Sequence, residues 1–287
     1  MAEQAGAVRH ISDTALWAAY FRAEETKRKD ALFQDVYAEK LERGRGTEIA
    51  KTIPWGQANA WAWVTRTYLF DKFLREEIEN GADLIVNCAA GLDARPYRMN
   101  LPANLHWVEL DLPDILSYKE EILAAEQPRC LLERIRVDLA NELERERVFA
   151  SVASRGKRGI VLTEGLLIYL APEQVGTLAR DLAASGSFHR WILDIHSPGL
   201  LRMMQRRTGK ALAKAGVPFR FGPAERAGFF RAFGWEAVQV ESLLKTAARF
   251  GRPPWLLRLL AKLPESKEAT SDQPWAGVCL LENRKLG

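Results

Sequence analysis

The stretch LIVNCAAGLDARPYRMNLPANLHWVELD, residues 84–111, constrains the fold of this chain more than any other. The apolar run from Leu84 to Ala89 predicts a buried strand that empties into the small-residue turn Ala89, Ala90 and Gly91. A second apolar strand, His106 to Leu110, ends in Asp111. This is the layout of the first βαβ unit of a nucleoside-binding sheet. Small residues let the backbone approach a ligand at the sheet edge, and an acid closing the next strand accepts hydrogen bonds from a ribose. The same pattern occurs in α/β proteins that bind nothing, so taken alone it leaves both readings open.

The turn discriminates between nucleosides. A dinucleotide site needs G-x-G-x-x-G opening a long helix, because the pyrophosphate rests on the exposed N–H groups of that helix. Here Pro96 follows Asp93 by three residues, and a proline is tolerated only in a first helical turn, so any helix starts near Arg95. No third glycine lets that helix pack tightly on the strand. A ligand without a pyrophosphate, such as S-adenosyl-L-methionine, fits better than NAD.

From Asp83 onward apolar segments alternate with helical patterns. Strands are predicted over 84–89, 106–110, 134–139, 160–163 and 191–195, which argues a parallel sheet covered on both faces. Gly234 leads into a strand over 235–240, and a last strand spans 275–283. Before the sheet, Ser12 or Asp13 caps a helix with the stripe Leu16, Trp17, Tyr20 and Phe21. A second helix runs from about Asp30 to Leu41, Gly44 to Gly46 form a turn, and a third helix runs from about Gln57 to Asn80 until Gly81 ends it. Residues 199–233 hold a basic run (Arg202, Arg206, Arg207, Lys210, Lys214), a Pro/Gly turn and an amphipathic helix, and 245–273 read as Pro-rich and irregular. No repeat or linker divides the 287 residues, so a single domain is expected, 1–80 forming a helical lid and segments near 199–233 and 245–273 inserted lids.

Composition excludes several classes. A net charge of +4 over this length, with no interleaved basic and aromatic groove, argues against a nucleic-acid partner. MAEQAGAVRH has no apolar core of a signal peptide, and the apolar runs are too short to span a membrane, so no membrane partner is expected. Cys88, Cys130 and Cys279 are an odd count without metal spacing, two of them in predicted strands, so reduced buried thiols and a cytoplasmic location are expected. His10, His106, His189 and His196 are scattered, so no metal site is predicted, and no G-x-S-x-G elbow appears.

In order along the chain, SDTALWAAYFRAEE, TRTYLFD, NCAAGLDARPYR, WVELDLPDILSYK and TEGLLIYL resemble the leucine carboxyl methyltransferase family. The likeness is to its bacterial branch, which is similar to polyketide and other small-molecule O-methyltransferases. It runs from about Ser12 to Tyr169 and continues more weakly to the C-terminus. It implies a class I methyltransferase fold, Rossmann-like, with a mostly parallel seven-stranded sheet, the last strand antiparallel, and S-adenosyl-L-methionine as cofactor. On this resemblance Asp111, followed by Leu112, holds the ribose, although an N-cap before Pro113 explains the same acid. Ala89, Ala90 and Gly91 line the methionine portion, with alanine at 89 where the family more often has glycine. Asp138 and Leu139 close the third strand beside the adenine, or are an ordinary strand end. Arg66 matches an arginine that pairs with the cofactor carboxylate; its alternative is a solvated helix face. Glu164 ends an apolar strand and needs a cationic partner, which the ammonium or sulfonium end of the cofactor would supply.

Methyl transfer asks little of the protein. A carboxylate acceptor is already ionised at neutral pH, whereas a phenol, with a pKa of about 10, gains from a base. His196, just past the fifth strand, is the candidate base, and Tyr169 the candidate for orienting the acceptor; both are also ordinary structural positions. The basic run 202–214 offers attraction to an anionic acceptor or is simply a solvated face. The expected protein is therefore a monomeric or homodimeric O-methyltransferase acting on a small molecule, such as a natural product. A nucleoside-binding protein that does not methylate and a protein carboxyl methyltransferase, as in the eukaryotic branch, stand as alternatives.

Overall fold

A computed structural model describes residues 11–52, 54–214, 218–264 and 272–286. The chain opens on helices α1 (Ile11–Thr26), α2 (Ala38–Glu42), α3 (Arg45–Thr52), α4 (Pro54–Ala58) and α5 (Ala60–Glu79). Gly81, at φ 91°, then turns it into the sheet. Strands and helices alternate from there: β1 (Leu84–Cys88), α6 (Arg95–Arg98), β2 (His106–Asp111), α7 (Pro113–Ile122), β3 (Leu131–Arg136), α8 (Glu142–Ala153), β4 (Gly159–Thr163), α9 (Pro172–Ala184) and β5 (Phe188–His196). α10 (Pro198–Lys214), β6 (Trp235–Ser242), α11 (Leu243–Arg249), α12 (Trp255–Leu260) and β7 (Ala276–Asn283) complete it.

The seven strands form one sheet in the order β3-β2-β1-β4-β5-β7-β6. All pairings are parallel except the two made by β7, which runs antiparallel between β5 and β6. Both faces are covered. Leu84, Val86 and Cys88 of β1 pack with Phe149 of α8 and Leu178 of α9, while Ile85 turns to Leu69, Phe70 and Phe73 of α5. This alternation within a strand buried at every position, Asn87 included, is what a two-sided buried strand requires. Because β1 lies between β2 and β4, the connections leave it in opposite directions and open a crevice above its carboxyl end. The third apolar cluster sits over that crevice, joining Leu16 and Trp17 of α1 to Tyr97, Ile168 and Phe219.

Several element boundaries differ from those read in the sequence. The third strand lies at 131–136, not 134–139; as an edge strand with Leu131, Glu133 and Arg136 exposed it lacks a clean apolar run. Residues 30–37 are not helical. Asp35 is buried there, its carboxylate accepting hydrogen bonds from Arg22 (2.8 Å) and the Tyr37 N–H (3.2 Å), and such side-chain bonding competes with helix. The turn at Gly44 exists, but α3 begins at Arg45 and takes in Gly46, where any Cβ would fall on the Leu16 carbonyl. The helix expected from 57 breaks at Asn59 into α4 and α5. α1 begins at Ile11, so Ser12 and Asp13 fall within it, and the side chains of 11–13 lie outside those described. The irregular 245–273 contains α11 and α12, and the amphipathic segment before Gly234 is a 3-10 helix, Arg226–Phe233. Residues 265–271 lie outside the described ones.

Candidate active site

The turn after β1 is built by backbone geometry. Ala89 at φ 54° and Gly91 at φ 48° both occupy the left-handed region, which aims the Gly91 N–H at the end of β2. Asp111 receives it: Oδ2 accepts from Gly91 N–H at 2.6 Å and Oδ1 from Leu112 N–H at 2.8 Å. Burial pushes the Asp111 carboxyl above its ordinary range, against the pull of these two N–H groups. Alanine is strained in this conformation, by about 1–2 kcal/mol, where glycine is not. Replacing Ala89 by Gly should therefore stabilise the protein by about 0.5–1 kcal/mol, after the extra chain entropy of glycine is offset, and shift the urea midpoint upward.

A block of buried charge stands behind the turn. Arg95, at the start of α6, reaches Asp71 (2.6 Å), Asp93 (2.7 Å) and Glu164 (2.8 Å). Asp93 also accepts from the Asn87 amide at 2.8 Å. Arg66, stacked 4.8 Å over the Trp63 ring, pairs with Glu164 (3.1 Å) and Asp194 (3.5 Å). Asp194 in turn accepts from Gly165 N–H at 2.6 Å. Burial alone would raise the carboxyls of Asp71, Asp93 and Glu164, but the guanidinium groups beside them outweigh it and hold all three below their ordinary range. Two expectations change here. Glu164 already has its cations in Arg95 and Arg66, and Arg66 is partly buried among carboxylates, not on a solvated helix face.

One cavity of about 830 Å³ runs along the carboxyl ends of the strands. Its wall brings together Ala89, Ala90, Gly91, Asp111 and Leu112 with Asp138 and Leu139 just past β3. Arg66, Glu164, Tyr169 and His196 line it too. Asp138 lies at the exposed rim, where Oδ1 accepts from Ala140 N–H at 2.9 Å. Tyr169 packs at 5.6 Å from Phe219; burial raises its pKa, opposed by a hydrogen bond with Thr14 of α1. Burial lowers the pKa of His196, with Asp194 acting against it. The contribution of α10 is apolar, from Leu200, Met203 and Met204. Its described cations do not line the cavity: Arg202, Arg206 and Arg207 border a separate depression, with Arg202 paired to Asp272. The side chains of Lys210 and Lys214 are outside those described. Sequence reasoning did not single out Arg95, Asp93, Trp63 or Thr14, whose partners come from distant elements. The spacing of Leu200, Met203 and Met204 was a readable sign of an inward face. Among the described residues no cluster of three or more His, Cys, Asp or Glu could hold a metal ion, and the three cysteines are buried free thiols.

Residues 15–183 match the leucine carboxyl methyltransferase family model. A Frankia alni protein named "Putative S-adenosyl-L-methionine-dependent methyltransferase" is 31% identical over 262 residues, covering 84% of this chain and 88% of that protein. Two solved structures share the fold. A DUF574 family protein of Streptomyces avermitilis superposes with a TM-score of 0.60 at 13% identity, covering 94% of this chain and 97% of its own. A Thermobifida fusca protein, likewise named a putative methyltransferase, gives 0.57 at 15% identity over 97% and 96%. Sheet order, crevice and relatives together define a class I methyltransferase that uses S-adenosyl-L-methionine. The chain belongs to the leucine carboxyl methyltransferase family.

Proposed function

We propose that the protein is an O-methyltransferase acting on a carboxylate or hydroxyl oxygen of a small molecule, of the kind met in natural-product pathways. The observation that carries this is the continuity of one cavity from the Asp111–Gly91 end to a wall of Leu200, Met203, Met204, Phe219 and Trp275 that also holds Tyr169 and His196. The residues fit the cofactor. The Asp111 carboxylate keeps lone pairs beyond its two backbone bonds, and a Cβ on Gly91 would crowd Ala15 at 3.3 Å. The buried indole N–H groups of Trp17 and Trp61, on the same wall, have no hydrogen-bond partner among the described residues.

Asp111 would hold the ribose hydroxyls, the 89–91 backbone the methionine portion, and Leu112, Asp138 and Leu139 the adenine end. Arg66 would meet the cofactor carboxylate, with Glu164 close enough to share the ammonium. When bound, the cofactor supplies an electrophilic methyl group on a sulfonium leaving group. The protein orients the acceptor against it and excludes water; α1 and α5 provide the cover through Thr14, Trp17 and Trp61. A carboxylate acceptor needs no proton removed. A hydroxyl acceptor would give its proton to His196, which burial keeps neutral below its ordinary 6.5.

Incubation with isotopically methylated cofactor and a panel of carboxylates and phenols tests the reading. Product mass spectra should place the label on oxygen, as a base-labile ester or a stable ether. Label on nitrogen, carbon or a protein carboxyl terminus would contradict it, as would loss of turnover with chelator and recovery with Mg²⁺. For a phenol, His196→Ala should lower kcat by about 10²-fold, leaving a carboxylate acceptor unaffected. Because the His196 pKa is lowered, wild-type turnover of the phenol should hold as pH falls to 6.5 and decline only below it. A decline that begins above neutrality would remove His196 from the role.

A further inference from the structure

The segment 243–264, LLKTAARFGRPPWLLRLLAKLP, carries Lys245, Arg249, Arg252, Arg258 and Lys262 and no acidic residue. It folds into α11 and α12 on the rim of the cavity, and α12 buries none of its side chains. Trp255 is 62% exposed, and Leu256, Leu259, Leu260 and Leu263 are each more than half exposed. Trp255, Leu259 and Leu263 recur at four-residue spacing with Leu256 and Leu260 beside them, so the exposed apolar side chains form one stripe. On the helical projection Arg258 and Lys262 flank the Trp255 edge of this stripe.

We propose that this face is a docking surface for an anionic lipid surface, on which α12 lies in the plane of the headgroups. An exposed Trp/Leu stripe edged by cations is the composition of an interfacial helix, with apolar side chains entering the acyl boundary and ammonium or guanidinium groups among the phosphates. Charge favours an anionic partner over a cationic one: none of the described carboxylates pairs with Arg258 or Lys262. Arg252 is engaged by Glu25 and Asp30, and Arg249 leans on Glu241 at 3.7 Å, so the cations available to phosphate are Arg258 and Lys262, with Lys245 behind. Leu257 and, just past the helix, Ala261 line the cavity, and Leu260 and Leu263 at the far edge of the stripe reach its rim as well, which leaves Trp255, Leu256 and Leu259 as the part of the stripe that faces away from it. That no helix among the described residues is long and apolar enough to cross a membrane does not bear on this, because an interfacial helix lies on a membrane and does not cross it.

Co-sedimentation of the full chain with phosphatidylglycerol-containing vesicles, compared with pure phosphatidylcholine, tests the proposal. Binding should favour the anionic vesicles and weaken with salt. Trp255→Ser/Leu259→Ser should weaken it by roughly tenfold or more through the lost apolar anchors, and Arg258→Glu/Lys262→Glu by roughly thirtyfold or more through the two lost cations. Both pairs are exposed, and an unchanged unfolding midpoint and unchanged turnover of a water-soluble acceptor would show that the variants are folded. Failure of the wild type to sediment with anionic vesicles would overturn the proposal, as would equal binding to both compositions or undiminished binding by the variants. Sedimentation equilibrium showing a dimer that Trp255→Ser/Leu259→Ser dissolves would also overturn it, making a second copy the occupant.

Discussion

Replacing Arg95 by Met should destabilise the fold by about 3–5 kcal/mol at pH 7, the cost of removing one partner from a buried ionic network. Arg95 and Asp71 have side chains only 3% exposed, and Asp93 and Glu164 are 11% and 18% exposed. Asp71 would retain Arg98 at 2.7 Å and Glu164 would retain Arg66 at 3.1 Å, so Asp93 loses most. The effect should depend on pH in a definite direction. In the wild type these carboxyls are held below their ordinary 3.8 and 4.5, so the stability they contribute is present above those values and lost as pH falls through the folded ones. Without Arg95 burial dominates, the carboxyl pKa values rise, and protonation relieves the variant as pH falls toward 4. Urea unfolding at both pH values should therefore show the gap narrowing. A difference under about 1 kcal/mol, or one independent of pH, would remove Arg95 from the centre of the network.

Asp111→Ala should weaken binding of S-adenosylhomocysteine by about 1.5–3 kcal/mol, or roughly 10- to 150-fold, the range for hydrogen bonds to a charged group. The side chain acts twice, toward a ribose and toward the Gly91 and Leu112 N–H groups that shape the turn. Asp111→Asn separates these roles in part, since its amide oxygen still accepts one backbone bond. Titration calorimetry should place Asn between wild type and Ala. Unchanged affinity in a folded Asp111→Ala protein would remove the carboxylate from the binding site.

What the sequence could reveal followed physical lines. β1, β2 and β4 were legible because burial on both faces leaves mostly apolar runs, interrupted inside only by Asn87 in β1 and Glu109 in β2. β3 was displaced by three residues because, as an edge strand, it alternates Glu133 and Arg136 with half-buried positions. The candidate residues at strand ends, from Ala89 to His196, gathered at one cavity because a parallel sheet puts those ends on one rim. Arg95 was illegible as a network centre, since Asp71 and Glu164 reach it from α5 and β4's end, and no local pattern encodes that meeting. The two readings of the cations of 202–207 stayed open in the sequence because what separates them is the Leu200, Met203, Met204 phase that sets which side of α10 faces inward.

A crystal structure of the protein with S-adenosylhomocysteine tests the central claim most directly. The account predicts both ribose hydroxyls within hydrogen-bond distance of the Asp111 carboxylate, the amino-acid end over residues 89–91 toward Arg66, and the sulfur facing the cavity wall that holds Tyr169 and His196. A ligand bound with its ribose away from Asp111, or outside this cavity, would contradict it.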